Sequence, residues 1–186
     1  IASCLVGSEM CIRDSRQVVR GGVTTLFRYG TRLGNPGLRQ RLAQKLADYR
    51  IAVTPRQLVT TLGANHGMDL VIRRYVIPGD VVLVEDPGYY PLFGKLQLQG
   101  AHMLGVPREA DGPDLDALER VLKKARPKLF FLQSVGHNPT GSDISPAKAH
   151  RLLQIAEAHD LLLVENDAMA DFKPSSATKL TALDQC

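Results

Sequence analysis

Apolar residues follow two different patterns along the chain from Gly37 onward. Segments such as "GLRQRLAQKLADY" repeat them at three- and four-residue spacing, which predicts helices with one buried face. Between these segments lie short unbroken apolar runs such as "DVVLVE", which are typical of strands buried on both faces. Because strands alternate with helices, we predict an α/β fold whose mostly parallel sheet carries helices on both faces.

The pattern assigns an element to nearly every later segment. The predicted strands are "QLVTTLG", "DVVLVE", "AHMLGVP", "PKLFFLQS" and "LLLVEND", and the predicted helices are "GLRQRLAQKLADY", "ANHGMDLVIRRYV", "YPLFGKLQLQ", "DLDALERVLKKA" and "SPAKAHRLLQIAEAH". Two helices have clear starts. Asp114 is a suitable N-cap, and Ser145 caps a helix whose first position holds Pro146, where the missing N–H is not needed.

Composition points to an ordinary globular protein. The chain has 186 residues, enough for one substantial core, with 44% hydrophobic residues and a net charge of only +4. The early arginines and lysines suit a solvated helix face, with attraction of an anionic ligand as the alternative. No nucleic-acid-binding module is recognisable, so any contact with DNA is expected through a domain outside this chain.

The cysteines, histidines and apolar runs indicate which kinds of site and which cellular compartment to expect. The three cysteines lie near the ends and the five histidines are scattered, so neither a disulfide framework nor a metal site is expected. This cysteine usage fits the reducing cytoplasm. No apolar run is long enough to span a bilayer, and we expect no membrane association.

The first residues differ from the rest. "CLVGSEMCIRDS" has neither helical nor strand periodicity and resembles translated adapter sequence, so residues 1–15 are interpreted as a non-native or disordered leader. Residues 16–186 then form the globular part.

Small and polar residues follow each predicted strand. Gly63, Ala64 and Asn65 come after the first strand, and Tyr89 comes after the second. The further members are Asn138 in the "HNPTG" turn and the pair Asn166 and Asp167. Because ligands bind beyond the carboxyl ends of parallel strands, these residues are expected to meet at one edge.

The residue types suit a flat phosphorylated heterocycle. A helix that begins at Gly63 offers free N–H groups and a positive dipole end to a phosphate. Tyr89 could stack on a ring, Asn138 could bind a phenolic oxygen, and Asn166 or Asp167 could face a ring nitrogen. Pyridoxal 5′-phosphate has all four features. Each motif also has an ordinary explanation as a turn, a cap or simple packing.

Several segments together carry a family resemblance. They are "YGTRLGNPGLRQRLAQKL", "VTTLGANHGMDLV", "IPGDVVLVEDPGYYP", "HNPTG" and "LLLVENDAMADF". They resemble the large domain of class I/II pyridoxal-phosphate-dependent aminotransferases of fold type I. The resemblance is closest to the aminotransferase-like domain of MocR-type regulators in the GntR group, and on this basis residues 16–186 are a partial large domain.

The resemblance implies a role for each candidate residue. Gly63, Ala64 and Asn65 match the phosphate-binding loop, Tyr89 the ring that stacks on the pyridine, and Asn138 the contact to O3′ of the cofactor. Tyr29 matches a tyrosine that reaches the phosphate of the neighbouring subunit, which implies a homodimer. The family's small-molecule partners are amino acids and 2-oxo acids.

The chain departs from the family at two places. Where the family has an aspartate facing the pyridine nitrogen, this chain has Asn166 followed by Asp167, and we favour Asp167 because a strand can shift register at its end. The segment with the Schiff-base lysine has no counterpart, and Lys179 stands in the wrong context. The chain is therefore expected to be a fragment without transaminase activity of its own.

Two functions remain open from the sequence. One is an effector-sensing domain that binds pyridoxal phosphate in a transcription regulator. The other is a segment of a stand-alone aminotransferase for amino acids. A dinucleotide-binding enzyme is disfavoured, because no G-x-G-x-x-G follows the first strand.

Overall fold

The computed structural model describes residues 29–173 and 177–184, so the predicted leader at residues 1–15 lies outside the described part. The helices are α1 (Pro36–Asp48), α2 (Gly63–Tyr75), α3 (Tyr90–Leu98), α4 (Leu115–Leu122), α5 (Pro146–Ala158) and α6 (Leu180–Leu183). The strands are β1 (Val81–Asp86), β2 (His102–Glu109), β3 (Gly112–Pro113), β4 (Leu129–Leu132) and β5 (Leu162–Glu165). Short 3₁₀ helices occupy Pro55–Gln57 and Ala170–Phe172.

The strands form one sheet in the order β3-β2-β1-β4-β5. All neighbours are parallel except β2 and the two-residue β3. β1 is central, and Val82 aligns with Met103 of β2 on one side and with Leu129 of β4 on the other. The predicted fold class, a mostly parallel sheet between helices, is confirmed.

Alternation along the central strands divides the core into two halves. Val82 and Val84 pack with α2 and α3, whereas Leu83 between them packs with α4 and α5. β4 does the same, because Phe131 belongs to the first half and Phe130 to the second. Since successive side chains of a strand point to opposite faces, an unbroken apolar run is what a doubly covered strand requires.

The predicted helix starts are confirmed. The carboxylate of Asp114 accepts a hydrogen bond from the N–H of Ala117 at 2.8 Å, and the hydroxyl of Ser145 accepts one from the N–H of Lys148 at 3.3 Å. Pro146 occupies the first turn of α5. These side chains satisfy N–H groups that have no partner inside their own helix.

The predicted strand "QLVTTLG" is wrong for the described structure. Gln57 closes a 3₁₀ helix, and the residues that follow are irregular up to the start of α2. Val59 and Leu62 remain 53% and 89% exposed, and the N–H of Thr60 bonds to the carbonyl of Leu33 rather than to a strand. A strand needs a neighbour to satisfy its backbone, and no described strand lies beside this segment.

The strand order reverses direction at β1. The chain moves from β1 to β2 on one side of the sheet and then crosses to β4 and β5 on the other side. Such a reversal leaves a crevice between the carboxyl ends of the strands that flank it. The site is therefore expected between the ends of β1 and β4.

Among the described helices, none has the length and apolar character needed to cross a membrane.

Candidate functional site

A hollow lies at the expected crevice. Its walls come from the ends of β1 and β4, from α2 and α3, and from the segment after β5. The lining residues are Met68, Val84, Glu85, Gly88, Tyr89, Leu92, Phe93, Phe131, Leu132, Gln133, His137 and Asn166. Apolar side chains dominate, with a few polar groups among them, which is the usual make-up of a small-molecule site.

Tyr89 is aimed at the hollow by the turn before it. A Cβ atom on Gly88 would lie 2.3 Å from the carbonyl oxygen of Glu85 and 3.1 Å from the ring of Phe93, so only glycine fits there. The hydroxyl of Tyr89 lies 3.3 Å from the side-chain nitrogen of Asn65 on α2. Two of the predicted residues, from separate elements, are thus in direct contact.

The N-terminus of α2 is open to a ligand. Gly63 has φ +78°, a conformation that favours glycine, and no side chain or distant backbone of the described residues lies within 4 Å of a Cβ built on it. No side chain caps this helix, and its first turn contains no acidic residue. Gly63, Ala64 and Asn65 are exposed. Within the described part of the chain, the positive end of the helix dipole is therefore uncovered, which suits a phosphate.

Asn138 lies on the turn that follows β4. Its side chain is exposed, and its backbone N–H donates to the side-chain oxygen of Gln133 at 3.1 Å. Gln133 lines the hollow, so the turn is attached directly to the wall.

Asn166 and Asp167 have different surroundings. Asn166 lines the hollow, whereas the carboxylate of Asp167 lies 3.3 Å from the ammonium of Lys179. Burial raises the pKa of Asp167, and the charge of Lys179 partly offsets this. Lys179 is itself buried, and its ammonium lies 4.8 Å from the ring centre of Tyr49. The preference for Asp167 as the residue facing a ring gains no support from this geometry.

Tyr29 is not brought to the hollow. It is the first described residue, its side chain is fully exposed, and it does not line the hollow. Its role in the phosphate site of a second subunit stays a prediction.

The polar floor of the hollow, formed around Glu85, was not indicated by the sequence motifs. The buried side chain of Glu85 pairs with Arg108, accepts the N–H of Gln133 at 2.8 Å, and lies 3.2 Å from Nε2 of His137. The scattered histidines gave no reason to expect a role for His137, and the structure buries it. One available signal was the glutamate that ends the unbroken apolar run "VVLVE", since a buried charge needs a partner.

Comparison with known proteins agrees with this architecture. The family model for aminotransferase class I and II matches residues 12–184. The chain belongs to this family. The structure of LysN, the alpha-aminoadipate aminotransferase of Thermus thermophilus, complexed with N-(5′-phosphopyridoxyl)-L-leucine, is similar with a TM-score of 0.80. At 32% identity it covers 86% of this chain and 40% of the other.

Family members of two kinds are similar in sequence. The 2-aminoadipate transaminase of Thermus thermophilus is 41% identical over 119 residues, which is 63% of this chain and 30% of that protein. The uncharacterized HTH-type transcriptional regulator YcxD of Bacillus subtilis is 31% identical over 161 residues, 86% of this chain and 36% of that protein.

A second regulator is similar as well. The probable rhizopine catabolism regulatory protein MocR of Rhizobium meliloti is 30% identical over 149 residues, covering 80% of this chain and 29% of that protein. The chain thus spans about a third of the length of these curated relatives. Family members include both regulators and aminotransferases.

Proposed function

We propose that this chain is the pyridoxal 5′-phosphate-binding part of an effector-sensing domain in a MocR-type transcription regulator. The observation that carries the proposal is the hollow at the end of β1 and β4, with Tyr89 on its wall and the open N-terminus of α2 in contact with Tyr89 through Asn65. When bound, the cofactor supplies an aldehyde that reacts reversibly with amino groups, which suits the sensing of an amino acid.

Each residue has a role in this proposal. The N–H groups at Gly63, Ala64 and Asn65 bind the phosphate, because they are exposed and the helix dipole adds positive potential. Tyr89 stacks on the ring. The exposed side chain of Asn138 donates to the phenolic oxygen, and Asn166 offers a neutral amide to the ring nitrogen.

The neutral amide favours a regulator over an enzyme. A carboxylate beside the ring nitrogen would stabilise its protonated form, and the protonated ring withdraws electrons more strongly. Asn166 lines the hollow here, while Asp167 is held 3.3 Å from Lys179. This arrangement favours binding of the cofactor, but it stabilises the protonated ring nitrogen less than a carboxylate would and so favours catalysis less.

A stand-alone aminotransferase acting on amino acids and 2-oxo acids is the second candidate. The observation that favours it is the 41% identity to the 2-aminoadipate transaminase. For either function we infer a homodimer in the cytoplasm, with Tyr29 reaching the phosphate of the neighbouring subunit. For the regulator, contact with DNA is made by a domain outside this chain.

Cofactor binding is tested by titrating the full chain with pyridoxamine 5′-phosphate, which needs no lysine to bind. Tyr89→Leu is expected to weaken binding about two- to tenfold, since aromatic stacking is worth about 0.5–1.5 kcal/mol. Tyr90→Leu is the matched control, because Tyr90 is the next residue, is 79% exposed and does not line the hollow. Equal losses in both variants, or no saturable binding by the wild type, would contradict the proposal.

The regulator and the enzyme are distinguished with the protein expressed from the complete reading frame. A regulator is expected to bind DNA and to change its DNA affinity when pyridoxal phosphate and an amino acid are added together. Steady transamination by a protein that does not bind DNA would favour the second candidate.

A further inference from the structure

The turn that carries Asn138 is held by a buried glutamine. Gln133 follows β4 directly, lines the hollow, and is 4% exposed. Its side-chain nitrogen donates to the carbonyl of Gly136 at 3.0 Å, and its side-chain oxygen accepts from the N–H of Asn138 at 3.1 Å. An amide has both a donor and acceptors, so one side chain satisfies two backbone groups of the turn.

Gln133 is itself fixed by a buried ion pair from the neighbouring strands. Its N–H donates to Glu85 of β1 at 2.8 Å, and its carbonyl accepts from Arg108 of β2 at 3.0 Å. Glu85 and Arg108 pair with each other, and their side chains are 3% and 0% exposed. Buried ionic groups with satisfied hydrogen bonds are held rigidly, because any movement leaves a charge unpaired in a poor solvent.

The same arginine also holds the far end of the turn. Nη2 and Nε of Arg108 lie 3.2 and 3.3 Å from the hydroxyl of Ser142. That hydroxyl lies 2.9 Å from the hydroxyl of Thr140, which in turn lies 2.9 Å from Nδ1 of His137. The turn is therefore attached at its start through Gln133, which follows β4 and is bonded to β1 and β2, and at its far end through Arg108 of β2.

Asn138 contrasts with this support. Its side chain is exposed and makes no hydrogen bond to any residue within 29–173 or 177–184, whereas its backbone is anchored. A free amide on a rigid backbone can bind a ligand with little loss of conformational entropy. The hydrogen bonds that hold the turn therefore fix the position from which the Asn138 side chain extends.

We propose that Gln133, fixed by the Glu85–Arg108 pair, is a positioning residue that prepares Asn138 to contact the ligand. The role rests on the proposed function, since it takes Asn138 as a ligand contact. Gln133 acts through the backbone of Asn138, so its effect on binding must disappear when the Asn138 side chain is absent.

A double-mutant cycle tests this dependence. Gln133→Met keeps a similar length and removes both hydrogen bonds to the turn. With pyridoxamine 5′-phosphate as the probe, Gln133→Met and Asn138→Ala are each expected to weaken binding by about five- to tenfold, and the double variant is expected to match Asn138→Ala alone. Independent losses that multiply in the double variant would overturn the proposal, as would unchanged binding by Gln133→Met.

Hydrogen exchange in the ligand-free chain provides a second readout. In Gln133→Met the amide of Asn138 is expected to exchange at least about tenfold faster, while the amide of Leu118 in α4 is unchanged. Gln133→Glu keeps the oxygen that accepts from Asn138, and it is expected to retain protection of this amide. An Asn138 amide that exchanges equally in the wild type and in Gln133→Met would overturn the proposal.

The two readouts separate this proposal from the proposed function. If the wild type fails to bind the probe while exchange at Asn138 still depends on Gln133, the proposed function is wrong and the support of the turn stands. If the wild type binds the probe but Gln133→Met changes neither the affinity nor the exchange rate of the Asn138 amide, the positioning role is wrong and the proposed function stands.

Discussion

Asn166 and Asp167 are adjacent in the chain and are used differently by the fold. Asn166, a residue with a neutral side chain, lines the hollow. Asp167 is half-buried beside Lys179, and burial raises the pKa of its carboxyl group. Because neighbouring residues at the end of a strand point in different directions, only one of them can face a ligand. The charge of the candidate site therefore depends on which residue is turned inward.

Replacing Asn166 by aspartate is expected to strengthen cofactor binding. A charged hydrogen bond contributes about 1.5–3 kcal/mol against about 1 for a neutral one, so Asn166→Asp should bind pyridoxamine 5′-phosphate about fivefold more tightly at pH 7. Asp167→Asn is the matched control and should leave affinity within about twofold. Affinity that responds to Asp167→Asn but not to Asn166→Asp would show that Asp167 faces the ring.

The Lys179–Asp167 pair is expected to govern part of the pH dependence of stability. A carboxyl group whose pKa is raised in the fold stabilises it at low pH and loses that contribution as pH rises through the folded pKa. Lys179→Met removes the charge that lowers the pKa of Asp167, so the pKa should rise further. The variant should therefore lose more unfolding free energy than the wild type between about pH 4 and pH 7.

At pH 7 the unfolding free energy of Lys179→Met is expected to be about 1–3 kcal/mol lower than that of the wild type. This is less than the value for a fully buried pair, because Asp167 keeps some exposure. It is measured by urea unfolding at both pH values. Adding Asp167→Asn to Lys179→Met should abolish the extra pH dependence. If the double variant keeps it, another group is responsible.

At the scale of elements, helix starts are the best-defined local features. Asp114 is the N-cap of α4 and Ser145 the N-cap of α5, and each side chain accepts a hydrogen bond from an N–H of the first turn. These bonds depend on residues only three positions apart, so local sequence is sufficient to specify them. α2 differs, since no side chain caps it and its N-terminus remains open. In the proposed function, the free N–H groups at this uncapped end bind the phosphate of the ligand.

Removal of the cap of α4 should lower stability by about 1 kcal/mol. Asp114→Ala loses the hydrogen bond to the N–H of Ala117, which has no other partner within the helix. Asp116→Ala is the control, because Asp116 is exposed in the same first turn and contributes only through the helix dipole. Equal losses in the two variants, measured by urea unfolding, would show that the cap is unimportant.

At the scale of the whole molecule, strand pairing and apolar packing are concentrated in the middle of the sheet. β1 pairs with both β2 and β4, and its alternate side chains belong to the two halves of the core. Opening β1 exposes both halves at once. The irregular residues before α2 lack such support, since Val59 is half exposed and no described strand lies beside it.

Amide hydrogen exchange is expected to follow this distribution. Amides of β1 and β4 that are hydrogen-bonded in the sheet should exchange only through global unfolding, more than about a thousandfold slower than the amide of Val59. α2 should lie between the two. Comparable protection at Val59 and in β1 would contradict the assignment of residues 58–62 as irregular.

The sequence predicted much of the fold but less of the site. "DVVLVE" and "KLFFLQ" were recognisable because a doubly buried strand is apolar at every position. "QLVTTLG" was also predicted as a strand from its apolar residues, but it forms none, because a strand also needs a neighbouring strand to pair with. Tyr89 and the pair Asn166 and Asp167 were candidates because of their places after strands, with Asp167 the favoured member of the pair. Tyr89 and Asn166 line the hollow.

The floor of the hollow could not be predicted in the same way. Glu85 finds Arg108 and Gln133 at separations of 23 and 48 residues. No local pattern links residues that far apart in the chain. His137 was near the predicted site, yet its burial next to Glu85 depends on how the turn folds back onto β1.

The sequence alone determined most of the order of helices and strands, the helix caps and the residues available at the strand ends, because periodicity and short-range hydrogen bonds act over a few residues. The tertiary structure alone decided that Asn166 rather than Asp167 lines the hollow, that Glu85 and Arg108 form its buried support, and that residues 58–62 stay irregular. Those outcomes depend on partners brought together from distant parts of the chain, whose positions exist only once the sheet has formed.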